Sequence, residues 1–332
     1  MPTSMVRRFA EPDEYVACMQ ATSAEVSITR SGYFAAKLAR ISLHSVWMQQ
    51  YSETLPRLAH FDNMPGRAVF AFQTRAGPGL LWDGTETPPG AIIRLIDGQS
   101  GFLRSTGPSH FASMSLPVAD IHAIGATLGD TDFTPPPNPL CLIPSSAAME
   151  RLQSLHEAAA HLAEHAPQVI ACPESARGLE QALTAALAEC LIPIDRRPTV
   201  VGNRSHAGIM KRFHAMLATD PLRVIHPTEV CREIAISARL LTTCCQRALG
   251  MGPYHYLKLR QLHLARFALL LADPTKVTVT EIATAHAFWE LGRFAVAYRT
   301  LFGETPSTTL RRAPRRDDSA AMANFPLPAR FA

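Results

Sequence analysis

The chain has 332 residues, 47% of them hydrophobic and 18% charged, which suits two domains with a core in each and excludes a disordered polypeptide. Its net charge of +4 is unevenly split, because residues 201–332 hold 18 Lys and Arg against 9 Asp and Glu, whereas residues 1–200 hold 14 against 19. Seven scattered cysteines form no C-x-x-C pair, and there is no apolar run of about 18 residues and no charged-then-apolar leader. These facts argue against a zinc ribbon, a disulfide scaffold or a membrane span, and lead us to expect a reducing cytoplasm.

Residues 25–116 read as short strands with partial alternation: Glu25–Thr29, Phe34–Leu43, Arg67–Thr74, Ala91–Ile96, Gly101–Arg104 and His110–Leu116. Turn signals such as Gly77-Pro78-Gly79 and Asp83-Gly84 separate them, which suggests a barrel or sandwich. Pro117–Leu128 reads as a short helix, and the proline-dense Thr134–Pro144 as a stiff extended linker. Two amphipathic helices are expected near Ser146–His165 and Glu174–Leu191, able to pack on the β-rich part or on a second subunit. A polar break at Asp195–Gly202 marks the domain boundary.

The C-terminal part reads as all-helical. His206–Ala218 leads in, Thr228 is placed to cap a helix to Ala235, and Ser237 to cap Ala238–Leu249. Gly250 ends that helix, and Pro253 opens a long one to Leu271. Thr278 and Glu281 form a T-x-x-E capping box, Gly292–Phe302 follows, and Gly303 terminates it. An internal repeat organises this stretch. Thr228-Glu229-Val230 recurs as Thr280-Glu281-Ile282, and Leu249-Gly250-Met251-Gly252-Pro253 as Phe302-Gly303-Glu304-Thr305-Pro306, with one residue added just after the turn. Each copy reads as helix, tight turn, helix, the module that presents one exposed helix to a DNA groove. The intervening Tyr254–Leu271 would span about 27 Å as a helix. It would hold two such units on one frame, against a groove repeat of about 34 Å.

The segment Thr280–Arg312 closely resembles the second helix-turn-helix of AraC/XylS-type transcriptional regulators, through Phe294, Tyr298, Phe302-Gly303 and Pro306-Ser307. The first unit also fits, with its Gly-x-x-Pro-x-x-Tyr-Leu run and with Arg260, Ala265 and Arg266 on the connecting helix. Phe288-Trp289 with Leu291-Gly292-Arg293-Phe294 resembles the subgroup that includes ethanolamine-operon regulators. Both turns carry alanine, Ala235 and Ala287, where the family commonly has glycine.

Carried over by position, the resemblance puts base-edge contacts at Arg239, Thr242 and Thr243 in the first unit and at Glu290 and Arg293 in the second. Gly292 and Val296 also fall at matching positions, Val296 where the family often has Arg, which weakens direct readout there. Arg247, Arg299, Arg311 and Arg312 are candidate phosphate contacts, with a merely solvated face as the rival reading. The resemblance further implies a cupin-like barrel in front, binding a small effector and mediating dimerisation. Trp47, Phe70, Phe72, Trp82, Arg94 and Phe102 are candidates to line its pocket.

Metal-dependent cupin enzymes need a His/Glu cluster on strands, whereas the expected barrel offers only His44, His60 and His110 without an H-x-H pair. His156, His161 and His165 share a helix but lack H-E-x-x-H spacing. No P-loop, dinucleotide fingerprint or G-x-S-x-G is present. The expectation is therefore an α+β protein that is not an enzyme and has no cofactor and no metal. Residues 1–134 form the β-rich sensing domain, 135–200 the linker and helices, 201–312 the DNA-binding domain with two helix-turn-helix units joined by a long helix, and 313–332 a flexible tail. Its partners would be double-stranded DNA, RNA polymerase, a small-molecule effector and a second copy of the chain, with no membrane. It would act as an activator. The rival functions are a cupin-type metal enzyme with an accessory DNA-binding domain, and a helical protein-binding adaptor.

Overall fold

The computed structural model describes residues 1–75, 77–96, 98–121, 140–192, 199–200, 204–220 and 223–312. The described strands are β1 (Thr3–Phe9), β2 (Thr22–Ile28), β3 (Ala36–Ser42), β4 (Trp47–Glu53), β5 (Arg57–Asn63), β6 (Arg67–Gln73), β7 (Leu80–Trp82), β8 (Thr85–Glu86), β9 (Ile92–Ile96), β10 (Ser100–Ser105), β11 (Ser109–Pro117), β12 (Leu140–Leu142) and β13 (Thr199–Val200). They pair antiparallel in two sheets, ordered β1-β3-β4-β11-β6-β9-β12-β13 and β2-β5-β10-β7-β8. The β-rich part is thus two separately hydrogen-bonded sheets and not one closed barrel.

Period-two alternation divides each strand between two environments. Between the sheets, Leu38, Tyr51, Val69, Ile93 and Phe111 of the larger meet Val26, Ile28, Phe61, Trp82 and Leu103 of the smaller. The other face of the larger sheet offers Ile41, Met48, Phe70, Phe72, Ile92 and Met114 to helices α2 (Ser146–His165) and α4 (Pro173–Leu191), through Met149, Leu152, Ala159, Leu183 and Leu187. These two helices are those expected from periodicity, and their apolar stripes are used on the sheet. Ser145 starts α2 by accepting from the Ala148 N–H at 3.1 Å. Helices α1 (Pro12–Ala17) and α3 (Pro167–Ala171) are short and bury Tyr15 and Ile170 in the two β-rich cores.

The outer face of the smaller sheet is covered as well. Leu58 and Phe102 join one cluster with Phe213, Leu217, Leu241, Leu249 and Tyr256. Those helical residues belong to α5 (Arg204–Thr219), α7 (Ala238–Leu249) and α8 (Pro253–Leu271), and Val230 of α6 (Pro227–Glu233) joins them. A second helical cluster joins α8 to α9 (Val279–Ala285), α10 (Leu291–Phe302) and α11 (Pro306–Leu310) through Leu262, Leu269, Ile282, Phe294, Tyr298 and Leu310. The layers therefore run helices, sheet, sheet, helices. Among the described residues, no helix is long and apolar enough to cross a membrane.

Several expectations change. Leu140–Leu142, taken as linker, is strand β12, because its N–H and C=O groups pair with Ile92–Arg94 of β9. Thr199–Val200 extends the same sheet by pairing with β12. Residues 118–121 are helical; the rest of the expected helix to Leu128, most of the proline-rich stretch, Asp195–Pro198 and the tail from Ala313 lie outside the described residues. Helix α6 begins at Pro227, not after Thr228, with the His226 ring nitrogen as its cap. Proline at the first helical position has no N–H to satisfy, so the start moves two residues earlier. Cys244 and Cys245 are fully buried, as expected for core residues, and burial pushes the Cys245 thiol up to about 12.

Candidate nucleic-acid interface

The two units are capped at different helices but turn in the same way. In the first, the Ser237 hydroxyl accepts from the Leu240 N–H at 3.2 Å and starts α7. In the second, Thr278 and Glu281 make both bonds of the capping box and start α9. The turns are equivalent. Ala235 sits at φ 53° and Ala287 at φ 59°, both left-handed. The Ile236 N–H reaches back to the Cys231 carbonyl at 3.0 Å, and the Phe288 N–H to Ala283 at 2.9 Å. This six-residue closure is the Schellman arrangement, which satisfies helix-end carbonyls and asks for a left-handed residue. Alanine tolerates that conformation at a cost of roughly 1–2 kcal/mol. Gly250 and Gly303, at φ 75° and 74°, end α7 and α10 without that cost.

Helix α7 is amphipathic. Leu241, Cys244, Cys245, Ala248 and Leu249 are buried, whereas Arg239, Thr242, Thr243 and Arg247 are exposed. The Thr242 and Thr243 hydroxyls donate to the Ala238 and Arg239 carbonyls, each at 2.9 Å. Their oxygens remain able to accept, and their methyl groups to meet a thymine methyl. In α10, Phe294 and Tyr298 are buried, and Arg293, Val296 and Arg299 are exposed. Arg293 is held by Glu290 at 2.8 Å. An exposed pair of this kind is worth at most about 1 kcal/mol, so it opens readily to another acceptor.

Val296 is 68% exposed and Trp289 76%. The sequence reading treated Val296 as a lost arginine. The structure gives this surface an apolar character, suited to thymine methyl groups. Of the phosphate candidates, Arg299 and Arg311 are exposed. Arg312 is engaged, bonding Glu11 at 2.6 Å and Glu304 at 2.7 Å. Arg266 completes that net with Glu11 at 3.0 Å and Glu304 at 2.8 Å.

The first unit abuts the smaller sheet. Helix α7 packs on β10. A Cβ added to Gly84 would lie 2.1 Å from the Arg247 carbonyl oxygen, and one added to Gly250 would lie 2.2 Å from Arg104 Nη1. Arg260 of α8 bonds Glu25 of β2 at 3.0 Å.

The six pocket candidates do not line one space. Phe70, Phe72 and Arg94 face α2 and α4, and Phe72 meets His156 edge-on at 5.0 Å. Trp82 lies in the core between the sheets, Trp47 beneath the Arg67 guanidinium at 3.7 Å, and Phe102 against the helical half. Sequence reading could not separate these faces, because β9 is buried along its whole length and gives no alternation. It also missed Arg57. This side chain is 1% exposed, lies over Phe61 and Phe111, and donates from Nε to Glu53, while Nη1 and Nη2 have no hydrogen-bond partner.

A tandem pair of helix-turn-helix units on a shared helix defines a class of DNA-binding module, and comparisons with known proteins agree. The helix-turn-helix domain family matches residues 230–312. The probable thc operon regulatory protein of Rhodococcus erythropolis is 41% identical over 99 residues, 30% of this chain and 29% of that protein. XylDLEGF operon transcriptional activator 2 of Pseudomonas putida is 31% identical over 117 residues, 35% of this chain and 72% of that protein. The solved AraC-like transcriptional activator CuxR is 14% identical at a TM-score of 0.38, with 78% of this chain and 94% of that chain covered. The chain belongs to the AraC/XylS-type transcriptional regulators. The match to the Rhodococcus protein spans under a third of that relative's length.

Proposed function

We propose that this chain is a sequence-specific DNA-binding regulator of transcription, an activator, whose β-rich part answers a small molecule. The observation that carries the reading is that α7 and α10 each keep a polar face exposed while both are held to the one helix α8, α7 through Leu249 and Tyr256 and α10 through Leu262 and Phe294. Helix α8 has 19 residues, about 28 Å at 1.5 Å per residue, against a groove repeat of about 34 Å. Arg239, Thr242 and Thr243 would read bases in one major groove, and Arg293, with Glu290 and Val296, would meet the next. Arg247, Arg299 and Arg311 would hold phosphates. Arg312 would do so only after leaving Glu11 and Glu304.

The two stacked sheets support a cupin-like origin for the sensing part, extending over 1–134, with 135–200 connecting it to the DNA-binding part at 201–312. Arg57 is the buried group best suited to an effector, since an anionic end would satisfy both Nη atoms. RNA polymerase as protein partner, a homodimer as working unit, a cytoplasmic setting and action by recognition alone complete the proposal. The Phe288-Trp289 run supports a place near the ethanolamine-operon regulators, although the relatives named above serve other operons.

Footprinting on genomic fragments tests the reading. Protection of two adjacent major grooves on one face of the duplex, steeply weakened by salt, is the expected result. Binding with a shallow salt dependence would refute it.

A further inference from the structure

Strand β5 turns Leu58, His60 and Asp62 toward the helical half, while Ala59 and Phe61 face the core between the sheets. His60 lies directly opposite Glu25 of β2 on one side and Phe102 of β10 on the other. Above this row stands His214 of α5. Its ring stacks on His60 with centroids 3.4 Å apart and an interplanar angle of 15°. His60 Nδ1 is 3.4 Å from Asp62 Oδ2, and His214 Nε2 is 3.5 Å from Glu25 Oε2. That His214 nitrogen is buried, and Glu25 is its nearest acceptor, at a distance too long for a firm hydrogen bond. The ligand atoms of His60, Asp62 and His214 all lie within 4.8 Å of one another.

We propose that His60, Asp62 and His214 form a binding site for a divalent transition metal of the zinc type, bridging the β-rich part and the helical part. The donor set is two imidazoles and a carboxylate, which suits zinc with one position left for water or for Glu25. Bonds of about 2.05 Å at tetrahedral angles bring ligand atoms to about 3.3 Å from one another. The cluster therefore has to contract, and the two rings have to turn out of their stack so that their nitrogen lone pairs converge, both side-chain movements. Asp62 and Glu25 bring two negative charges to the site, set against Arg260, 3.0 Å from Glu25, and Lys211, which acts on Asp62, so the attraction for a cation comes from the ligand atoms themselves and not from an excess of negative charge.

The ligands come from both sides of the boundary. Metal binds the docked arrangement better than any arrangement that separates α5 from β5, and binding shifts the population toward the docked state. The site stands without the DNA-binding reading, since it needs only the packing of α5 on β5.

The test uses the full chain, stripped with a chelator and titrated with zinc alone by calorimetry. We expect one zinc per chain and a rise in Tm with zinc. Cobalt(II) should give the visible absorption of a four-coordinate nitrogen and oxygen site. His60→Gln and His214→Gln should each weaken zinc binding more than about a hundredfold, beyond the loss from an outer partner, and abolish the Tm rise. Their far-ultraviolet dichroism should match the parent. The exposed pair His161 and His165, stacked at 4.2 Å, is the competing zinc site. Replacing both by alanine should leave the tight binding intact. Tight binding that survives His60→Gln and His214→Gln, or that vanishes with the His161 and His165 change, would overturn the proposal. So would the absence of any zinc binding.

Discussion

Replacing Ala235 by glycine should stabilise the first helix-turn-helix unit. Ala235 is exposed, so removing its methyl group forfeits little packing. At φ 53° it carries a left-handed strain of roughly 1–2 kcal/mol. Glycine removes that strain but adds roughly 0.4–1 kcal/mol of unfolded-chain freedom, leaving a net gain of about 1 kcal/mol. The reverse experiment is available in the same fold. Gly303 sits at φ 74°, and a Cβ added there meets nothing within 4 Å, so Gly303→Ala should lose about 1 kcal/mol through the backbone alone. Amide hydrogen exchange reads both changes locally. The Ile236 N–H bonds Cys231 at 3.0 Å, and its protection should rise about fivefold in Ala235→Gly. The Gly303 N–H bonds Arg299 at 2.9 Å, and its protection should fall by a similar factor in Gly303→Ala. Changes of the same sign in the two variants, or a loss of protection in Ala235→Gly, would refute the strain argument.

Three further outcomes are expected. Arg239→Ala should cost about 1–3 kcal/mol at the cognate DNA site and relax preference at one base position, whereas Arg311→Ala should weaken all sequences alike and reduce the salt slope by about 1; quantitative gel shift over a set of operator variants separates the two. Arg266→Met should destabilise the chain by about 2–3 kcal/mol in thermal unfolding, because it leaves the buried Glu11 and the partly buried Glu304 with Arg312 as the remaining cation of their net. His156 is fully buried without a partner, and burial lowers its pKa to about 3. The unfolded chain then binds more protons between pH 6.5 and 3, so stability is complete above 6.5 and declines as pH falls through that window. Between pH 7 and 5 the loss from this one group is about 2 kcal/mol. His156→Leu should flatten the urea-midpoint profile over that range, and an unchanged slope would show that the ring is hydrated.

The helical half was largely legible in sequence because its signals are local. Ser237, the Thr278–Glu281 box, Gly250, Pro253 and Gly303 each act within four residues of themselves, and all stand where periodicity put them. Even the misplaced cap at Thr228 erred by only two residues, His226 being the cap. The β-rich half was legible only in outline. Strands β4 and β5 went unread because Trp47–Glu53 and Arg57–Asn63 mix polar and apolar residues that are buried on both faces. Burial on both faces is a property of the layers that cover a strand, and no window of its own sequence contains it. The pocket candidates failed to converge for the same reason, since chain alternation says that Phe102 and Leu103 point apart but not which meets the helices. The His60 and His214 pairing was further from reach. A His-x-Asp step on a strand is the one local hint, and the second imidazole arrives from a helix far along the chain.

Gly84 and Gly250 form two notches in the seam between the smaller sheet and the first unit, one on each side. A seam closed by bare backbone has no slack: a single methyl group at Gly84 would act as a wedge against the Arg247 carbonyl. The reading head and the sensing sheet therefore meet backbone to backbone at Gly84, whereas at Gly250 the facing atoms are the movable end of Arg104, so the wedge that prises them apart belongs at Gly84.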